Sequence, residues 1–411
     1  MTTLADPAPS RPSPPAEPGR AHRAVRFAAA PLAAYLLGHV VYLTAAAAAG
    51  TRYFTVAAHE RYDSAFYEQI AAHGYRMFAC AVDPKSGFQG DAWCGNAGWF
   101  PLYPWLIAAA RTVPGLSVGR AAVLVGELGT LAATLLFWWV LTRVLPAGGW
   151  PRGAALLALV AVFPVGIYLH AVFPMSVAVT ATLACLGLAA QRRWAWAGVA
   201  GAAAAAAYPV GISAGVAAVA VVAAQGFRQR EALPRRALLV GGLSVGGLLL
   251  VFAVLRLATG HWDAFFLSQD KYGGRRYDPV SAFITMVSYG QSGPLPAGTA
   301  RPAPNPLDFA VRWDMWSSLV LVLLAGACMA LAALRHRLVP LDIGLGVYAV
   351  VAWLVPLVAG TQISQYRSHA LLLPVLLLLR HLPGWLLALL AVPAALLAYH
   401  MGTLFYVTAL V

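Results

Sequence analysis

Asp63 lies between Tyr62 and Ser64 in an aromatic, polar stretch running from His59 to Tyr75, HERYDSAFYEQIAAHGY. Phe66, Tyr67 and Ile70 follow it at helical spacing, and His73 comes just before Gly74. The pattern predicts a short helix that Asp63 begins and Gly74 stops. One reading of Asp63 is a helix N-cap, a role Asp fills well. The other is a general base. Transfer of a sugar from a lipid phosphate needs a single carboxylate, because the leaving phosphate is stable as an anion. A glycosidase, whose leaving group is an alcohol, uses two carboxyls. One Asp takes the proton of an acceptor hydroxyl as that oxygen attacks the anomeric carbon. A cation must then hold the phosphate, and the planar guanidinium of Arg suits that geometry.

Arg367, in the short polar segment 361–369, is the first candidate for that cation; its competing reading is an interfacial anchor. Arg275 and Arg276, in QDKYGGRR, are the second, against a solvated turn. Tyr67 and His73 are expected to position the acceptor or Asp63. Trp99 and Tyr103, in GWFPLYPWLI, suit either a membrane-interface belt or a sugar platform, and the segment 100–105 is expected to shape the groove that admits a lipid carrier. Glu127 falls inside an apolar run, where an acid marks function by default; its expected partner is His170 or an Arg, and its competing role is to fix helix register.

The elements that must hold these residues follow from composition. Of 411 residues, 60% are hydrophobic and 10% charged, against about 25% charged in soluble domains. The fold class expected is therefore an all-α polytopic membrane protein. The formal net charge of +13 reads as Arg clusters fixing topology, and no nucleic-acid motif accompanies it. Residues 1–26 read as a disordered cytoplasmic tail, and 27–411 as one transmembrane domain. Spans are expected at 27–49, 118–141, 154–170 with a break at Phe163-Pro164, 175–190, 237–258, 317–334, 341–359, 370–380 and 385–407. Residues 194–226 read as two short helices meeting at Tyr208-Pro209-Val210-Gly211. That makes about eleven spans, with large first and fourth outer loops, 50–116 and 260–316. These loops and 361–369 share the outer face, as an enzyme acting outside the cytoplasm requires.

Cys185 and Cys328 lie in apolar runs, whereas Cys80 and Cys94 share one polar loop. In an oxidising compartment the latter pair is expected to form a disulfide, with metal binding the weaker alternative. No phosphate-binding Gly loop, paired metal-ligand motif or Ser-His-Asp set is present in the pattern.

With these residues in hand, the chain resembles the bacterial branch of the PIG-V-like mannosyltransferases, in the GT-C glycosyltransferase superfamily. The matching features are Tyr62-Asp63-Ser64, Phe66-Tyr67, Ile70-Ala71 and His73-Gly74-Tyr75, then Phe100-Pro101-Leu102-Tyr103-Pro104. Gln269, Tyr272, Arg275 or Arg276 and Pro279 match a second-loop pattern, and Ser364-Gln365-Tyr366-Arg367 with Pro374 matches a late one. The resemblance implies a GT-C fold with Asp63 catalytic and Arg367 on the phosphate. It also implies a polyprenyl-phosphate sugar, usually mannose, as donor, and inversion at the anomeric carbon. Gln269 joins the substrate-binding candidates on this ground. Departures occur at Phe173-Pro174-Met175-Ser176, at Tyr208-Pro209-Val210-Gly211, and in the reversed order of Tyr366 and Arg367.

The function expected is an inverting, integral-membrane mannosyltransferase of a bacterial plasma membrane, with a cytoplasmic N-terminus. Its partners are membrane lipids, the lipid-phosphate donor and a glycolipid, glycan or protein acceptor. No cofactor or divalent metal is required by this chemistry. The alternatives are a transporter or flippase of a lipid-linked sugar, needing polar groups from face to face, and an inactive scaffold with Asp63 turned away from any cavity.

Overall fold

The computed structural model describes residues 20–61, 63–82, 92–145, 149–229, 234–271, 280, 283, 306–358 and 365–407. Helix α1 (Arg20–Ala48) begins at Arg20 rather than Phe27. Pro18-Gly19 is the first break upstream, and the residues after it are helix formers, so the helix extends back through the basic residues expected in the tail. Two short helices follow, α2 (Val56–His59) and α3 (Ser64–His73). Gly74 ends α3 at φ 77°, a left-handed conformation that glycine adopts without strain.

Strands β1 (Met77–Ala79) and β2 (Trp93–Gly95) pair antiparallel with Phe78 opposite Cys94, and a disulfide joins Cys80 to Cys94 beside them. Helix α4 (Leu102–Ala110) leads to α5 (Val118–Trp139), capped by the Ser117 side chain, which accepts from the Arg120 amide. The expected break at Phe163-Pro164 separates α6 (Trp150–Ala161) from α7 (Ile167–His170). Helix α8 (Met175–Ala190) precedes α9 (Trp194–Ala207) and α10 (Ile212–Gln229), which meet through a 3-10 turn at Pro209–Gly211.

The remaining helices are α11 (Pro234–Thr259), α12 (Ala264–Asp270), α13 (Pro306–Leu334), α14 (Pro340–Val358), α15 (Gln365–His369) and α16 (Gly384–Val407). Between α15 and α16 a 12-residue 3-10 segment, Ala370–His381, runs through the core.

Seven of the described helical stretches are long and apolar enough to cross a membrane: Phe27–Ala48, Val118–Val144, Pro209–Gln229, Arg235–Thr259, Trp313–Leu334, Pro340–Val358 and Gly384–Val407. Three shorter apolar helices, α6, α8 and α9, pack among them. The chain thus has the build of an all-α, multi-pass membrane protein. Lipid is no poorer a solvent for Leu than a neighbouring helix is, so these helices associate through close backbone approach. The Ala-rich α9 lies against α11 so tightly that a β-carbon on Gly247 would sit 2.3 Å from the Ala202 carbonyl oxygen. The 3-10 segment is sealed on all sides, with Ala370 through Arg380 buried.

One end of the bundle collects the connections that carry polar residues. There α2, α3 and α4 pack against α5, β2 packs against α12, and Gln269 of α12 donates to the Gly98 carbonyl. At the other end, buried Asp342 pairs with Arg380 at 2.6 Å and with His381 at 3.5 Å.

Candidate active site

Four side chains fix the irregular turn that presents Asp63. His59 is buried, with Nδ1 2.8 Å from the His170 carbonyl oxygen and Nε2 3.0 Å from that of Tyr53. Burial lowers the His59 pKa from its ordinary value, and the hydrogen bond to the His170 carbonyl works against that shift. The Arg61 guanidinium donates to carbonyls of Phe405 and Tyr406, near the end of α16, and to those of Ala57 and Glu60. It also lies over the Phe405 ring, 5.4 Å from its centroid. Ser64 accepts from the Arg61 amide, and its hydroxyl lies within hydrogen-bonding reach of the Arg61 and Val172 carbonyls. Tyr53 completes the ring of contacts, its hydroxyl 2.6 Å from His39 Nδ1.

Asp63 stands at the N-cap position of α3, but its side chain makes no capping bond. The carboxylate instead takes a hydrogen bond from the Arg367 guanidinium on α15, a residue 304 positions away in sequence. The pair is largely enclosed, with side-chain exposures of 12% for Arg367 and 19% for Asp63. The Arg367 guanidinium also rests on the face of Phe173, 5.2 Å from its centroid. Phe173 thus gives the cation an aromatic face to rest on. Beside Arg367, the Ser368 hydroxyl pairs with that of Tyr208 at 3.1 Å.

Tyr67 is buried one helical turn beyond Asp63, edge-on to Tyr103 at 5.5 Å and to Phe173 at 6.2 Å. Burial, and next the negative charge of Asp63, push its phenol well above the ordinary value, so it stays neutral. Lys271, just past α12, has its ammonium 5.9 Å from the ring centroids of both Phe66 and Trp99. Burial lowers its pKa, while the Asp63 carboxylate pulls it back up. A second cation therefore serves the Asp63 end.

The other residues singled out from sequence fall differently. His73 is exposed at the far end of α3, ten residues from Asp63 and so about 15 Å along the helix. It does not help position that carboxylate. Tyr103 is fully buried and its hydroxyl donates to the Ala122 carbonyl at 2.9 Å, which makes it a pillar between α4 and α5. Trp99 is buried and stacked on Phe66 with centroids 3.8 Å apart, its carbonyl accepting from the Tyr75 hydroxyl. Gln269 binds the backbone of the same loop. Arg275 and Arg276, with Tyr272 and Pro279, lie outside the described residues.

An apolar cavity of about 750 Å³ opens between α13, the 3-10 segment and α16, lined by Leu321, Leu324, Leu372, Leu376, Leu390 and Leu397 among others. Asp63 is not in its wall. Its polar corner is His369, two residues after Arg367, paired with the buried Asp314 carboxylate at 2.8 Å. None of residues 100–105 lines this cavity, so it is not the groove expected there; its link to the Asp63 pair is His369, two residues after Arg367. Arg61, Lys271, Phe173 and Tyr208 were the contributors that sequence reasoning passed over, though Arg61 sits inside the opening motif and Lys271 inside QDKYGGRR.

Comparison with models of known protein families gives no match, and comparison with curated proteins gives none either. What fold and site define together is a helical multi-pass membrane protein with a carboxylate–guanidinium pair at one end of its bundle.

Proposed function

We propose that this protein is an inverting glycosyltransferase of the PIG-V-like, GT-C type. It transfers a sugar, mannose first, from a polyprenyl phosphate to an acceptor outside the cytoplasm of a bacterial cell. The observation that carries the reading is the pairing of Asp63 with Arg367 across the whole length of the chain. A lipid phosphate arriving at Arg367 competes with Asp63 for the guanidinium and frees the carboxylate. Asp63 then accepts the proton of the acceptor hydroxyl as its oxygen bonds to the anomeric carbon. The bond from that carbon to the phosphate oxygen breaks, and the anion leaves on Arg367 with Lys271 near by. Tyr67 and Phe173 exclude water around the pair. The apolar cavity beside His369 has the chemistry to take the hydrocarbon of such a donor.

The transporter alternative is weakened by the wall between the two ends. From Leu371 to Leu379 the core segment offers only Leu, Pro and Val side chains, all buried, before Arg380 is reached. The scaffold alternative expects Asp63 away from any cavity, and Asp63 does stand outside the wall of the large apolar one; what speaks against that alternative is the carboxylate held against a guanidinium instead of serving as a cap.

The test is transfer from radiolabelled polyprenyl-phosphate-mannose in membranes, comparing wild type with Asp63→Asn at equal protein level. The expected loss is about 100-fold or more, the usual contribution of a general base. Undiminished transfer by the variant would remove Asp63 from the chemistry.

A further inference from the structure

A second cluster of polar side chains lies inside the apolar bundle and has no part in that reaction. His39 projects from α1, Glu127 from α5, and His170 from the end of α7. Their ligand atoms all lie within 4.8 Å of one another. His39 Nε2 is 3.3 Å, and His170 Nδ1 3.1 Å, from the same carboxylate oxygen, Glu127 Oε2. We infer that His39, Glu127 and His170 bind one zinc-class divalent ion.

The spacing fits. Ligand bonds of about 2.0–2.1 Å in a tetrahedral site place neighbouring ligand atoms about 3.3 Å apart, and two imidazoles with one carboxylate form a known zinc-binding set. Carboxylate and imidazole together favour a borderline transition-metal ion over magnesium or calcium, which prefer all-oxygen sites.

The supporting contacts are of the kind that orient metal ligands. With His39 Nε2 on the ion, its Nδ1 keeps the proton and donates to the Tyr53 hydroxyl, 2.6 Å away. The Tyr35 hydroxyl donates to Glu127 Oε2 at 2.8 Å. A small void of about 20 Å³ borders Tyr35 and His170, room for one buried water beside the cluster. An ionised Glu is costly in this apolar setting, and a dication offsets its charge while drawing three separate chain segments together. The same His170 offers its carbonyl to His59, so the ion braces the turn that leads to Asp63.

The experiment uses full-length protein purified in detergent without chelator, with metal content measured by mass spectrometry. Chelator-stripped protein is then titrated with Co²⁺ and followed by visible absorption. One equivalent of zinc, and cobalt bands of tetrahedral type, are the expected results. Glu127→Gln and His39→Gln should each lower cobalt affinity at least tenfold. Tyr53→Phe, which spares every ligand, should lower it about 10- to 100-fold. Asp63→Asn should leave it unchanged. Wild type that carries no stoichiometric metal and shows no tetrahedral bands at saturating Co²⁺ would overturn the inference. So would Glu127→Gln protein that binds cobalt as tightly as wild type.

Discussion

The Asp63–Arg367 pair lends itself to a double-mutant cycle with Asp63→Asn, Arg367→Gln and the two combined. Both side chains are largely enclosed, so removing one charge strands the other in poor solvent, a loss of about 3–5 kcal/mol for a fully buried pair. Two features reduce it here. Some water still reaches both groups, and Phe173 holds the Arg367 guanidinium whether or not Asp63 is charged, worth about 1 kcal/mol. Asp63→Asn should therefore destabilise by about 2 kcal/mol. Arg367→Gln, which leaves a carboxylate with no aromatic face to rest on, should cost about 3 kcal/mol. The double variant should lose less than the sum by about 2 kcal/mol, the coupling between the charges. Thermal unfolding in detergent measures all three. Activity should behave differently: the double variant, at about 3 kcal/mol, loses no more stability than Arg367→Gln alone, yet it has no transfer because the base is still missing. Additive stability losses would refute a working ion pair. A double variant that regained transfer would refute Asp63 as base.

Four further outcomes follow from particular contacts. Glu68 lies beside Glu60, and burial, followed by that neighbouring carboxyl, raises its pKa from 4.5 to about 7. The folded protein then holds a proton that the unfolded chain has released between those values. Stability should fall as pH rises across that window, and Glu68→Gln should flatten the fall in melting scans. Tyr103→Phe should cost about 1 kcal/mol through the lost bond to Ala122, with KM for the donor unchanged, as a pillar and not a sugar platform would behave. Breaking the Cys80–Cys94 link, which closes a separation of 14 residues, should cost about 3 kcal/mol in the chain-entropy account, read as the drop in stability of Cys94→Ser. Ala394→Phe, in the cavity wall, should raise KM for a long-chain donor about tenfold and leave a short-chain analogue unaffected. Displacing about two methylenes from apolar surroundings is worth that much.

How far the sequence could be read depended on the range of the interaction. Apolar runs are local, and they located the long helices and the meeting of two helices at Tyr208-Pro209. Asp63 stood out for the aromatics and His at helical spacing around it, and Arg367 as a cation in a short polar segment between spans, although only the fold shows that each is the other's partner. Glu127 was legible as an acid inside an apolar run, with His170 an expected partner. Burial was harder to foresee. Trp99 and Tyr103 read as a membrane belt or a sugar platform, yet packing on Phe66 and the bond to Ala122 bury both. Arg61 carried no periodic signal, since its partners are backbone carbonyls at the far end of the chain. The cavity was invisible because its wall comes from separate helices that look alike in sequence. The same limit applies to the core segment Ala370–His381, whose Leu-rich run fits a 3-10 or an α winding equally well.

That winding has a mechanical side. Twelve residues at the 3-10 rise reach about 24 Å, against about 18 Å as an α-helix, so the tighter coil is also the longer strut. Its lower end is bolted by Arg380 to Asp342, and its upper end runs directly into His369, Ser368 and Arg367. Any turn of this strut that rewound to α would draw its free end down by a fraction of those ~6 Å. The guanidinium would then leave Asp63, and the His369 corner of the apolar cavity would move with it. On the proposed function, a donor seated in that cavity and gripped by its phosphate would load the strut at both places at once, so lipid length and head-group hold would act on one coil.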